Sequence, residues 1–179
     1  MSAYDMFFSK RWPASKVDSQ PYRFALFVGS IIGIASAVLG ILFISTILLL
    51  FSPEVLGPSA AAYLSSLNPV ALFFYGVLIV PCWETLIAQL FPIELAKRVG
   101  LNEPACIIIC AVIFGLGHYI NGGIGHGLGT LIGGALFALS YVIVRPWGYL
   151  PAFWASYTAH SLNNMLLLFV VPVIFPRLA

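Results

Sequence analysis

Long apolar runs alternate along the chain with short clusters of charged residues, proline and glycine, and the runs are the right length to cross a bilayer. A hydrocarbon core of about 30 Å takes about 20 apolar residues in a helix. The first run, Phe24 to Phe51, contains no ionisable residue. The second starts at Pro69, continues through Phe91 and extends as helix to Arg98. Asn102 caps the third, with Pro104 in its first turn, and it runs to about Ile120. Asn121, Gly122 and Gly123 make a tight connection to a fourth run, His126 to Val144, which carries Gly125, Gly129 and Gly133 at the four-residue spacing that lets membrane helices approach closely. Arg145, Pro146 and Gly148 close it, and a fifth run extends from Leu150 to Phe175, bent or ended by Pro172 and Pro176. The pattern predicts an all-α polytopic membrane bundle of about five transmembrane helices, with a sixth allowed by length.

Composition narrows this further. Asp, Glu, Lys and Arg are only 8% of 179 residues and the apolar set is 61%, against roughly 25% charged residues in a soluble domain. So few charges cannot cover a water-soluble globule, and a net charge of +2 offers no basic stripe to nucleic acid. Residues 1–23 read as a cytoplasmic or interfacial lead-in that Phe7, Phe8 and Trp12 rest on the headgroups, and 24–179 as a single membrane-embedded helical domain. The first run is too long for a signal-peptide core and is retained. Ala60-Ala61-Ala62 imitates a cleavage site but follows the turn region of Pro53, Gly57 and Pro58. Lys10, Arg11, Lys16 and Arg23 precede the first span, Lys97 and Arg98 follow the second and Arg145 the fourth, while Arg177 stands alone at the other side. By the positive-inside rule the N-terminus is cytoplasmic. Cys82, Cys106 and Cys110 lie inside apolar runs and read as small buried hydrophobes, with Cys82 turned away from the carboxylate two residues on.

Three ionisable groups lie deep inside spans: Glu84, His118 and His160. A charged residue at a helix centre costs about 2.5–3.5 kcal/mol on insertion scales, so each calls for a functional explanation. At 1.5 Å per residue Glu84 stands about 20 Å above Lys97, His118 about 22 Å above Glu103 and His160 about 18 Å above Gly148, so the three can share one layer beyond the midplane. Asn164 shares a face with His160, while Asn163 points elsewhere. Such a set suits hydrolysis: Glu84 takes a proton from water, His118 orients that water, and His160 with Asn164 donates to the carbonyl oxygen as charge develops. Ser161 lies about 100° around the helix from His160 and is poorly placed as a nucleophile. Other uses stay open. Glu84, His118 and His160 are also a possible zinc set, or a relay in a proton-coupled carrier. The fold could equally serve a non-catalytic immunity or scaffold factor. His126, beside glycines at a helix end, reads as an interhelical hydrogen-bond partner.

Glu84-Thr85-Leu86-Ile87-Ala88-Gln89, Phe114-Gly115-Leu116-Gly117-His118 and His160-Ser161-Leu162-Asn163-Asn164 resemble, in order, the three motifs of the CAAX protease and bacteriocin-processing (CPBP) family of glutamic-type intramembrane proteases, related to CaaX prenyl endopeptidases. Those motifs read Glu-Glu-x-x-x-Arg, Phe-x-x-x-His and His-x-x-x-Asn or Asp. The second and third match in full; in the first, Thr85 stands for the second Glu and Gln89 for the Arg. The resemblance covers about residues 69–169. It implies a membrane hydrolase in which Glu84 and His118 activate water and His160 and Asn164 form the oxyanion site, without an obligatory cofactor, with Thr85, Gln89 and Phe114 in support. It implies a peptide or protein substrate with a hydrophobic or lipidated segment, delivered within the membrane lipids, and no nucleic-acid partner. Together with the compact size it implies a prokaryotic cytoplasmic membrane. The neutral pair suggests a Thr85–Gln89 hydrogen bond replacing the family's ion pair. It also suggests a substrate other than the ordinary CaaX sequence, such as a C-terminal sorting tail or a bacteriocin-like precursor.

Overall fold

A computed structural model describes residues 3–10, 12–59 and 62–174. Arg11, Ala60, Ala61, Phe175, Pro176 and Arg177, all used above, lie outside the described residues. Two short helices, α1 (Ala3–Phe7) and α2 (Ala14–Ser19), precede five long ones. These are α3 (Pro21–Leu50), α4 (Pro69–Arg98), α5 (Glu103–Asn121), α6 (Ile124–Trp147) and α7 (Tyr149–Ile174), each long and apolar enough to cross a membrane. No strand occurs among the described residues. The protein is an all-helical integral membrane bundle, as the alternation of apolar runs requires. Asn102 caps α5 by accepting from the Ala105 N–H at 3.0 Å, and Asn68 does the same for α4 through Ala71 at 2.9 Å.

The lead-in departs from expectation. Its last residues already belong to α3, and the residues before them pack across one end of the bundle. The rings of Phe8 and Trp12 lie against Phe24 and Phe27, Val17 is fully buried, and of the three expected aromatic anchors Phe7 is the exposed one. Aromatic edges find more contact on the partly covered α3 than at an interface. The same end is tied by Glu94, which accepts from the Tyr141 hydroxyl at 2.8 Å and from the Arg145 guanidinium at both carboxylate oxygens. Trp147 Nε1 donates to Asp18 at 2.9 Å.

Helix packing follows the small residues, although not all the predicted ones. Without a hydrophobic force between lipid-embedded helices, close backbone approach does the work. At the α3–α7 seam a Cβ on Gly29 would lie 2.5 Å from the Ala155 carbonyl oxygen, and one on Gly33 2.7 Å from that of Ala159. In α6 the close approaches are made by Gly127, against Tyr119, and Gly134, against Phe114. The predicted Gly129 and Gly133 have only ordinary contacts with Phe43, Phe137 and Ser36, while Gly125 meets Leu56 of the α3–α4 connection. The reason is the tight turn at 121–123, which forces α6 to present the face of Gly127 and Gly134, seven residues apart, to α5.

Prolines shape the site-bearing helices. Three π-helical stretches, Phe73–Ile79, Leu86–Leu90 and Leu166–Val170, each precede a proline by two residues: Pro81, Pro92 and Pro172. A proline removes its own N–H and its ring pushes on the carbonyl four residues back, which here is Val77, Ala88 or Leu168, inside the widened turn. Widening relieves that clash without breaking the span.

Because Gly33 meets backbone, which cannot rotate away, Gly33→Val should lower the stability of the protein in detergent by about 1–3 kcal/mol. Thermal unfolding followed by circular dichroism checks this, and an unchanged midpoint would refute the α3–α7 seam.

Candidate active site

Carbonyls released by the first π stretch are taken up by α7. The Asn164 amide donates to the Gly76 carbonyl at 2.9 Å and the Tyr157 hydroxyl to that of Leu78 at 3.2 Å. These two bonds clamp α4 to α7 on the outer side of Pro81, and the α-helical segment Val80–Thr85 follows directly. Glu84 is thereby carried to α7, with its Oε2 3.3 Å from His160 Nε2, while its Oε1 is 3.8 Å from His118 Nε2 on α5. The three groups expected to share a layer do so. Their side chains grade from 3% exposed for His160 through 19% for His118 to 31% for Glu84, so the carboxylate stands at the mouth and His160 at the floor.

Each imidazole is fixed by its surroundings. His118 Nδ1 lies 2.9 Å from the Phe114 carbonyl oxygen, four residues back. A carbonyl only accepts, so Nδ1 carries the hydrogen and the neutral ring presents a bare Nε2 toward Glu84. His160 is stacked on Phe137, centroids 4.5 Å apart and planes 17° from parallel, with the Phe114 ring on its edge side at 5.3 Å. Phe114 also touches the His118 ring at 4.4 Å, and it fits because Gly134 has no side chain. Phe114 thus packs on both imidazoles, and Phe137 on His160, the latter a contact that an aromatic in an apolar run does not signal in sequence.

Several expectations change. Asn164 has one amide hydrogen committed to Gly76, and its oxygen accepts from Asn163 at 3.1 Å. Thr85 and Gln89 make no hydrogen bond to each other: the Thr85 hydroxyl and both polar atoms of the Gln89 amide are buried without partners. The π stretch between them is the cause, because residues four apart stack over an α-turn and not over a wider one. His126, expected as an interhelical hydrogen-bond partner, finds its partner in the α3–α4 connection. Its ring lies 5.2 Å from that of His118, and its Nδ1 is 3.5 Å from the Ser59 hydroxyl. The sequence carried that signal: His118 precedes the 121–123 turn by three residues and His126 follows it by three, so the hairpin brings them level. Ser161 Oγ is buried with no partner that could activate it. Cys106 and Cys110 are buried and Cys82 is half-buried, all with free thiols.

Tyr63, in the 3₁₀ turn Ala62–Ser66 of the α3–α4 connection, also feels the carboxylate. Its hydroxyl is pushed above the ordinary tyrosine value by burial and, second, by the charge of Glu84. Among the described residues no group of three or more His, Cys, Asp and Glu side chains is arranged to hold a metal ion. An apolar groove of about 260 Å³ beside the site, lined by Leu116, Tyr119 and Leu128 among others, faces outward between α5 and α6.

A buried polar atom without a partner costs about 1–3 kcal/mol. Gln89→Leu, and separately Thr85→Val, should therefore raise the thermal midpoint in detergent; a fall would mean that these groups are satisfied in the folded protein.

No curated protein and no solved structure matches the chain significantly. Residues 66–166, which hold α4, α5, α6 and most of α7 and with them Glu84, His118, His160 and Asn164, match the family described as type II CAAX prenyl endopeptidase Rce1-like. With more than half of the chain and the whole polar layer inside that match, the protein belongs to the Rce1-like family of CAAX-type intramembrane proteases.

Proposed function

We propose that this protein is an intramembrane endopeptidase that hydrolyses a peptide bond of a membrane-delivered substrate by direct attack of water. The observation that carries the reading is the 3.8 Å separation of His118 Nε2 from Glu84 Oε1. It is too long for a direct hydrogen bond and short enough for one water to bond both groups. Both are acceptors in the tautomer set by Phe114, so they hold both hydrogens of that water and leave an oxygen lone pair for the substrate carbonyl carbon. Glu84 then takes the proton as the carbon–oxygen bond forms and passes it to the leaving amine.

Negative charge developing on the carbonyl oxygen needs donors already in place. His160 Nε2 and the second amide hydrogen of Asn164, one helical turn outward, are the donors in this reading. Stacking on Phe137 holds the first and the bond to Gly76 holds the second. Preorganisation of this kind matters because a donor that has to be recruited from water offers no differential stabilisation of the transition state. Metal is not required in this mechanism, and the substrate is a peptide or protein with an apolar or lipidated segment.

Glu84→Gln and His118→Ala should each lower cleavage by about 10²–10⁴-fold with insertion and thermal stability retained. Purified protein assayed with and without a chelator should cleave at equal rates. Full activity in a folded Glu84→Gln protein, or loss on chelation restored by zinc, would refute the mechanism.

A further inference from the structure

Glu84 is separated from the end of α4 at Arg98 by 14 residues, about 20 Å of helix. That whole interval is closed. Ile93, Cys106, Cys110, Tyr141, Val144 and Ala152 are each 0% exposed, and the Glu94–Arg145–Tyr141 cluster and the Trp147–Asp18 bond tie the helix ends beneath them. The lead-in aromatics cover that end as well. Among the described residues the polar side chains buried in this half below the layer, Thr85, Gln89, Ser140 and Ser156, are each 0% exposed and so sealed from water.

The other half is built differently. α5 continues only three residues past His118, about 5 Å, whereas α4 continues 15 residues outward from Glu84 and α7 14 residues outward from His160, roughly 20 Å each. The short α5–α6 hairpin therefore leaves a notch directly above the layer of Glu84, His118 and His160. The α3–α4 connection lies over it. The Gly123 N–H donates to Pro58 at 2.7 Å and the Gly125 N–H to Leu56 at 3.2 Å, and Tyr63 lies within reach of Glu84's charge. In a hydrocarbon core of about 30 Å, a site about 20 Å from one boundary is about 10 Å from the other.

Charge says which boundary is which. The sealed end carries Lys16, Arg23, Lys97, Arg98 and Arg145, whereas residues 51–68 and 121–124 at the notched end contain no Lys or Arg. A bias of that kind puts the sealed end in the cytoplasm.

We infer that the catalytic cleft opens to the extracytoplasmic half of the bilayer, and that its substrate is a translocated protein held by an apolar membrane segment, cut near the outer end of that segment. A lipidated C-terminus made and kept in the cytosol meets 20 Å of packed core and cannot reach Glu84. The choice of substrate rests on the protease reading above; the direction of opening does not.

The test uses the full chain in intact cells with Cys82→Ser as background and a membrane-impermeant thiol reagent. Glu54→Cys, in the exposed α3–α4 connection, and Glu84→Cys, in the cleft, should be modified without permeabilisation. Val99→Cys, in the exposed α4–α5 connection, should be modified only after it. The reverse pattern for Glu54→Cys and Val99→Cys, both surface positions that leave the fold intact, overturns the inference. So does a Glu84→Cys thiol that reacts only from the cytoplasmic side or from neither. With the unmodified protein, a reporter whose membrane segment presents its cleavage region outside should be processed and the inverted reporter should not. Processing of the inverted reporter alone overturns the inference while leaving the protease reading intact. Labelling does not depend on turnover, so an inert protein with the expected labelling contradicts that reading and supports the outward opening.

Discussion

A carboxylate halfway along a membrane helix is tolerated only where partners are held ready for it, and the fold is organised around holding them for Glu84. Its two oxygens face two imidazoles from different helices, 3.3 and 3.8 Å away. His160 is held from neighbouring helices and His118 from its own. His160 is pinned by Phe137 and Phe114, and His118 by the Phe114 carbonyl. Phe114 in turn needs the missing side chain of Gly134. The layer is thus a packing problem solved with aromatic rings and small residues, and the polar chemistry sits on top of it.

The second requirement is that α4 and α7 keep register at the level of the carboxylate. Proline supplies it indirectly. By widening the turn before Pro81, it frees carbonyls that an ordinary α-helix would consume, and Tyr157 and Asn164 bond to them. A distortion that looks destabilising in the sequence becomes the clamp between the two helices that carry Glu84 and His160. Asn164 consequently serves the fold and, in the proposed reaction, the oxyanion with separate amide hydrogens.

Much of this was legible from residue types and spacing. The five spans follow from apolar run length, and the shared depth of Glu84, His118 and His160 follows from counting residues from the charged helix ends. What was not legible depends on geometry that spacing does not encode. The Thr85–Gln89 bond failed because π-helical turns were invisible in a pattern read with an α-helical period. The glycines that matter in α6 differ from the regularly spaced ones because the hairpin turn, rather than the repeat, selects the contact face. The packing of Phe8 and Trp12 on Phe24 and Phe27 has no spacing signal, because aromatic residues before a span read first as interfacial anchors. His126 could have been found by following the chain through the tight turn.

The central claim is that water, and no side chain of the protein, attacks the peptide bond. Single-turnover cleavage of a membrane-inserted peptide by the purified protein, run in the presence of hydroxylamine and analysed by mass spectrometry, tests it directly. Attack by water leaves only the free carboxylate at the new C-terminus and no added mass on the protein. A hydroxamate product, or an acyl adduct on the chain, would contradict it.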